Sequence, residues 1–372
     1  MSTWQTQGEP VVTVLCATYN HFSYIEDALC GVLGQVTSFP FQLIVRDDAS
    51  SDGTAEIVRR YVAWYPNVII PVLEPRNTYS KGIRPGPQMM ALAKSEFIAV
   101  CEGDDYWTDC NKLEIQVSAL RRHEGIDMSC HPCVILNDRT NRQTIDGYHR
   151  FLTGVVPLEK VIKGGGAFIP TASLLIRSVA MKAPVIWDNA CPVGDYFQQI
   201  YGAKRSGALY VNTPMSVYRT GQSGAWTTTI KDPNRLRAFD MGFIEAVKQA
   251  EVDFPKYVNC FDSLIVWSFM HRVVQCEESG NQDLAEHAQK VLAERLTNSG
   301  MLYKLLLFWF RYRWTWPYLE KLNAFRGLLN RAKQRFRALA IGMFWKSQEQ
   351  GSEDRPGLSK LSSKARRKKV II

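Results

Sequence analysis

The chain lacks most of the features that would remove it from the globular proteins. No uncharged apolar run reaches the ~18–20 residues that a bilayer crossing needs, and Leu305–Phe310 is only a short greasy patch. The first ten residues show no basic stretch followed by an apolar one, so no signal peptide is expected and a cytoplasmic protein is the reading. Neither Gly-x-Gly-x-x-Gly nor a Gly-Lys-Ser/Thr phosphate loop occurs, which disfavours the usual dinucleotide fold and the P-loop NTPases. A disulfide framework is also missing: nine cysteines, an odd number, are spread over 372 residues, several within apolar runs, as free thiols in a reducing compartment would be. With 46% hydrophobic residues, 22% charged ones and no glycine period, global disorder and a collagen repeat are excluded. The apolar content suffices for one large or two ordinary domains.

Charge is unevenly placed. Of the net +9, residues 301–372 contribute +13, from 17 Lys and Arg against 4 Asp and Glu, which leaves residues 1–300 at −4. Within this stretch Leu319, Leu322, Phe325, Leu329, Ala332, Phe336, Leu339 and Met343 recur every three or four positions, with Lys321, Arg326, Arg331, Lys333, Arg335 and Arg337 between them. Trp309, Trp314, Trp316 and Trp345 add side chains suited to a membrane interface. Residues 301–346 therefore read as a basic amphipathic helical region, peripheral on an anionic leaflet where each cation contributes about 1 kcal/mol; the alternative is a helix packed on the body. Residues 347–372 read as a disordered basic tail.

From Val11 the apolar residues fall into a strand-then-helix rhythm. Val11–Tyr19, Phe41–Arg46, Val68–Leu73 and Phe97–Cys101 read as strands, and Tyr24–Gln35, Gly53–Tyr65, Gln88–Lys94 and Asn111–His123 as helices. Asp52 is placed as an N-cap, and Asn111 with Glu114 makes a capping-box pattern. Such alternation predicts a mostly parallel sheet with helices on both faces, and ligands bind beyond the carboxyl ends of its strands. The residues there are polar and acidic: Thr18-Tyr19-Asn20, Asp47-Asp48-Ala49-Ser50 and Glu102-Gly103-Asp104-Asp105. Any one would serve as a turn or cap. Three on one sheet edge are harder to dismiss as turns, and any phosphates held near these clustered carboxylates would require a divalent cation between them.

Further along, Gly164-Gly165-Gly166 precedes Thr171-Ala172-Ser173 and a strand at Leu174–Ile176, and is either a connector or a substrate-gating loop. Cys130-His131-Pro132-Cys133 has the spacing of a thiol redox centre or half a zinc site. Its flanks, Met128-Ser129 and Val134–Leu136, read as one continuous strand, and no second ligand pair is visible, so a buried strand is expected. Residues 231–300 form a helical extension, with helices over Arg235–Val247, Tyr257–Cys276 and Asp283–Leu296 broken at Asp253-Phe254-Pro255 and Ser279-Gly280-Asn281.

Taken together, the ordered blocks resemble the inverting glycosyltransferases of family 2, of the kind that builds bacterial surface polysaccharide and lipopolysaccharide. Val12–Asn20 is similar to that family's opening strand and loop, and Leu43–Thr54 to its Asp-Asp-Gly-Ser-x-Asp-Gly-Thr block, with Ala49 where glycine is usual. Cys101–Trp107 resembles its acidic motif in the Glu-Gly-Asp-Asp-Tyr-Trp form. Val193–Tyr196, Met215–Arg219 and Gly224-Ala225-Trp226 are similar to its acceptor-side blocks. The resemblance implies an α/β fold of GT-A type, a mostly parallel nucleotide-sugar-binding sheet flanked by helices, over residues 1–230, followed by a helical C-terminal region.

Carried over by position, the resemblance implies that Thr18 and Tyr19 contact the donor, with Tyr19 against the base. Asp48 would accept the base's imide N–H, so a UDP or dTDP sugar is favoured. Asp104 would sit near the ribose, and Asp105 would ligate Mn²⁺ or Mg²⁺ on the diphosphate; Glu102 stands where the family often has Asp. Lys81 or Arg84 would contact the diphosphate. Ser173 would touch the donor sugar or cap a strand, and Arg219 and Trp226 would offer a cation and an aromatic surface or serve as packing partners. Asp195 would be the general base that activates a hydroxyl of a saccharide or lipid-linked acceptor. Two rivals remain: a nucleic-acid-binding protein using the basic tail, disfavoured by the acidic body, and a nucleotidyltransferase, disfavoured by the missing Gly-rich loop.

Overall fold

Three β-branched runs beyond the N-terminus are buried along almost their whole length: β1 (Val12–Thr18), β2 (Phe41–Asp47) and β4 (Phe97–Val100). Strands covered on both faces carry such continuous apolar runs, whereas β3 (Ile69–Leu73), at the sheet's edge, is more open. The computed structural model describes residues 8–150, 152–182, 191–222 and 232–296. The connecting helices are α1 (Ile25–Leu33), α2 (Thr54–Trp64), α3 (Gly86–Leu92) and α4 (Lys112–Arg122). Later elements are the short strands β5 (Tyr106–Trp107), β6 (Met128–Cys130), β7 (Cys133–Asn137), β8 (Arg142–Asp146), β9 (Gly154–Val156), β10 (Leu175–Arg177), β11 (Ala208–Tyr210) and β12 (Ser216–Thr220). Helices α5 (Leu158–Gly164), α6 (Gly194–Gly202), α7 (Pro233–Asp253), α8 (Val258–Glu278) and α9 (Gln282–Leu296) complete the described chain.

The large sheet has the order β3-β2-β1-β4-β10-β6-β11-β9 and the small one β5-β12-β7-β8. In the large sheet β1–β2, β1–β4, β2–β3 and β6–β11 are parallel, while β10 runs antiparallel to both neighbours and β9 to β11. The fold is thus α/β, a central sheet flanked by helices with a helical C-terminal region, and its parallel character is concentrated in one half. There Thr18 pairs with Asp47 and Leu15 with Val100, so the ends of β1, β2 and β4 emerge at a single edge.

Three local expectations are corrected. Cys130-His131-Pro132-Cys133 does not continue one strand: the chain leaves the large sheet after β6 and enters the small sheet at β7. Proline has no N–H to give a ladder, so a sheet switch falls naturally there. Both cysteines are nonetheless buried, as the buried reading expects. The Asn111/Glu114 capping box does not form; Gln35 Oε1 accepts the Leu113 N–H at 3.0 Å, and Glu114 accepts from Ser38 instead. Finally, α2 starts after Gly53 rather than Asp52, although Asp52 still accepts from Thr54 N–H (3.0 Å) and from Phe22 N–H (2.9 Å).

The chain divides into two compact units between Leu264 and Ile265, inside α8. In the first, α7 packs on α6 through Phe243 against Tyr196 and Phe197 (ring centroids 5.8 and 6.5 Å). The described part of the second comprises the rest of α8, a turn at Gly280 and α9. Among the described residues no helix is long and apolar enough to cross a membrane. The basic region 301–346, the tail 347–372 and Trp226 lie outside the described residues.

Candidate active site

At the shared edge, backbone hydrogen bonds lock the three strand ends together. Asp48 N–H donates to Thr18 O (3.1 Å) and Gly103 N–H to Ala17 O (2.9 Å). Gly103 is pressed so closely on Thr18 that a Cβ there would lie 2.6 Å from Thr18 Oγ1, which fixes glycine between Glu102 and Asp104. Asp105 follows, fully buried, with Oδ1 accepting the Arg219 N–H at 2.9 Å. Its Oδ2 is buried and has no hydrogen-bond partner. Burial, then Asp104 and Glu102, push the Asp105 carboxyl well above its ordinary range. Glu102 is pushed up to about 8 by burial, Asp104 and Asp195.

A bare buried carboxylate oxygen among mutually repelling carboxyls fits a hard divalent cation. Among the described residues no group of three His, Cys, Asp or Glu side chains is gathered to hold one unaided. A cation that completes its shell with substrate phosphates needs only one or two carboxylates, and Asp105 with its neighbour Asp104 meets that requirement.

Asp48 is deeply engaged. Thr78 N–H reaches both its oxygens (3.1 and 3.2 Å), Thr78 Oγ1–H and Tyr79 N–H donate at 2.7 and 2.9 Å, and Arg46 Nη2 lies at 3.1 Å. Burial alone would raise this carboxyl, but those donors and Arg46 outweigh it and hold it below its ordinary value. Tyr19, 45% exposed, leaves its ring open to a ligand on the same edge. Ala49 adopts a left-handed φ of 61°, the conformation for which glycine is the usual residue.

Asp195 sits in the first turn of α6, and its Oδ1 accepts the Tyr196 N–H at 2.9 Å. Burial raises its pKa, while the Tyr196 N–H, Arg84 and Thr171 oppose the rise. Arg84 donates to Cys191 O (3.1 Å), and its guanidinium lies so close to Gly194 that any Cβ would collide with it. Lys81 is exposed on the same loop as Arg84. Tyr218 carries the acidic turn and Asp195 on one electrostatic surrounding: burial first, then Glu102, Asp105, Asp104 and Asp195, raise its hydroxyl pKa. Asp195 also adds to the upward push on Glu102, so its charge is felt at the acidic turn.

Two of the expected donor contacts are internal. Ser173 is fully buried, with Oγ donating to Pro170 O (2.6 Å) and its carbonyl accepting from Gln116 (2.9 Å). Arg219 is buried as well, tied to Asp27 and to the Asp104 carbonyl. Sequence reasoning passed over Asp27, Tyr24, Tyr106 and Asp138, which surround Arg219; the one available hint was a charged residue within a strand.

Residues 13–180 match the model of glycosyl transferase family 2. That stretch, less than half of the chain, is what the family model covers. An uncharacterized protein of Mycobacterium tuberculosis is 32% identical over 232 residues, 60% of this chain and 63% of its own length; the match thus takes in less than two thirds of that relative. A Bacillus subtilis protein provisionally named as a teichuronic acid biosynthesis glycosyltransferase is 33% identical over 113 residues, 30% of this chain and 42% of its own. Among solved structures, TarS of S. aureus in complex with UDP-GlcNAc superposes with a TM-score of 0.48 at 14% identity, covering 76% of this chain and 91% of that one.

Proposed function

We propose that the protein is an inverting glycosyltransferase that moves a sugar from a nucleoside diphosphate donor to a hydroxyl of a saccharide or lipid-linked saccharide, with Mn²⁺ or Mg²⁺ on the diphosphate. The observation that carries this reading is the bare, buried Oδ2 of Asp105 at the carboxyl edge of the sheet, within a stretch that matches family 2, with the charge of Asp195 felt at the acidic turn. When bound, the cation neutralises charge developing on the departing diphosphate. Asp105 would hold it, with Asp104 beside the ribose. Asp195 accepts the acceptor's hydroxyl proton while that oxygen bonds to the anomeric carbon; the bond to the diphosphate breaks on the opposite face, and its electron pair leaves with the diphosphate. Burial makes Asp195 more basic than a free aspartate, which suits a general base.

Thr18 and Tyr19 border the base, and Lys81 or Arg84 reaches the diphosphate. Asp48 accepts a uracil or thymine imide N–H by giving up the Thr78 N–H, whose bond is shared between two oxygens and has least to lose; a UDP or dTDP donor follows. Trp226 remains a donor contact argued from sequence. Surface-polysaccharide or lipopolysaccharide synthesis is supported by the Glu-Gly-Asp-Asp-Tyr-Trp motif and by the relative named for teichuronic acid biosynthesis. Screening nucleotide sugars with Mn²⁺ for donor hydrolysis, and then reading the product's anomeric configuration by NMR, tests the proposal. No turnover or binding of any donor, or a retained configuration, overturns it. The basic region 301–346 attaches the protein peripherally to anionic lipid at the inner face of the plasma membrane. Equal partitioning onto anionic vesicles by full-length protein and by a chain ending near Ser299 would refute that.

A further inference from the structure

Arg219 clasps the acidic turn twice. Its backbone N–H holds Asp105 Oδ1 at 2.9 Å, and its Nη1 donates to the Asp104 carbonyl at 2.7 Å. The other arm of the guanidinium, Nη2, binds Asp27 Oδ2 at 2.5 Å on α1, and Nε lies 3.9 Å from Asp138 Oδ1. Two aromatic rings pack on the guanidinium as well, Tyr106 at 4.4 Å and Tyr24 at 5.2 Å from the guanidinium carbon to the ring centroids. The side chain has 0% exposure. A guanidinium so enclosed cannot reach a diphosphate. Its burial is offset by the Asp27 carboxylate and the Asp104 carbonyl, which accept from the two Nη atoms, and by the charge of Asp138, although Nε itself has no hydrogen-bond partner.

Resting on the reading above, we infer that Arg219 is a positioning residue that orients the Asp104–Asp105 turn toward the cation and makes no contact with the donor. Asp105 Oδ1 is taken by the arginine's own backbone, so Oδ2 is the oxygen left to ligate. The register of β12 against β5, Val217 opposite Tyr106 and Ser216 opposite Trp107, holds the clasp just beyond the turn it serves. Asp27 supports the clasp from α1, 192 residues away in sequence. Groups that orient ligating carboxylates change metal affinity by about 10–100-fold when removed.

The test uses full-length protein, Mn²⁺ binding followed by the EPR signal of free Mn²⁺ in the presence of UDP, and UDP binding measured separately in EDTA. Arg219→Met and Asp27→Asn should each weaken Mn²⁺ binding by about 10-fold or more and leave UDP binding in EDTA unchanged. Should Arg219→Met fail to fold, Asp27→Asn, which alters one partner and almost no volume, decides alone. Mn²⁺ affinity equal to wild type in the folded variants would reduce the clasp to a structural role and overturn the inference. A fall in metal-free UDP binding for Arg219→Met with Asp27→Asn silent would make Arg219 a donor contact and overturn it too. Wild-type protein that binds no Mn²⁺ with UDP would instead refute the metal-dependent reading, and the inference with it.

Discussion

The two halves of the large sheet present their acidic groups by different means. In the parallel half, β3-β2-β1-β4, the Asp104–Asp105 turn is held by strand-end hydrogen bonds and by a buried arginine, so its geometry is set by a dry network. In the mixed half, strands of three residues carry no such turn, and Asp195 rides on the N-terminus of α6, whose Gln199 pins the Gly166 and Ile169 carbonyls at 2.9 and 3.1 Å. One side is built to hold a charge still. The other sets a carboxylate whose pKa burial raises at the start of a helix. Separate construction implies separable functions, and substitutions can break that separation or sharpen it.

The largest effect is expected at Asp105. Asp105→Ala should abolish Mn²⁺-dependent donor binding and slow transfer by roughly 10³-fold, the worth of a few kcal/mol of charge stabilisation, as read by Mn²⁺ titration and initial rates. Asp195→Asn should cost about 10²–10⁴-fold in transfer while donor and Mn²⁺ still bind. If it lost Mn²⁺ binding as well, the two halves would not be separable. Wild-type transfer should rise with pH through a pKa above the ordinary aspartate range, because burial raises Asp195, and that limb should vanish in Asp195→Asn.

The seam between the halves offers a smaller test. Lys112, fully buried on α4, donates to Gln116 at 2.8 Å and lies over the Trp107 ring, while Gln116 bonds Ser129 of β6 and the Ser173 carbonyl. Burial lowers its pKa from 10.5 to about 7. Between those values the unfolded chain binds a proton that the folded chain does not, so this group makes stability climb with pH across that window and fall as pH drops. Lys112→Met should flatten that climb and stabilise the protein by about 1 kcal/mol near pH 7, checked by urea unfolding at several pH values. Smallest of all, Ala49→Gly relieves a left-handed alanine but loosens the unfolded chain, for a net gain of up to about 1 kcal/mol. A loss of stability there would mean the Ala49 methyl contributes packing that outweighs its strain.

Much of the parallel half was legible because its signals are local. A β-branched run followed by Asp-Asp or Glu-Gly-Asp-Asp announces a strand and the turn after it, and β1, β2 and β4 end within a residue or two of where the pattern ends them. The mixed half was less legible. Three-residue strands carry too little periodicity to separate from loop, and the sheet switch at His131-Pro132 depends on which neighbours are available. The cap of α4 came from Gln35, 78 residues away, in place of the nearby Glu114.

By itself, then, the sequence determined which residue types stand after which strands: three polar or acidic ends at one sheet edge, and a lone Asp195 far along the chain. It did so because alternating apolar runs dictate strand order locally and a parallel sheet gathers their carboxyl ends. Only the tertiary structure decided what each polar group is free to do. Arg219 and Ser173 look like candidate ligand contacts in the chain and are enclosed in the fold, whereas Asp105 Oδ2 is left bare. Burial and pairing arise between residues more than a hundred positions apart, as between Arg219 and Asp105, and no local pattern records the partner that will arrive.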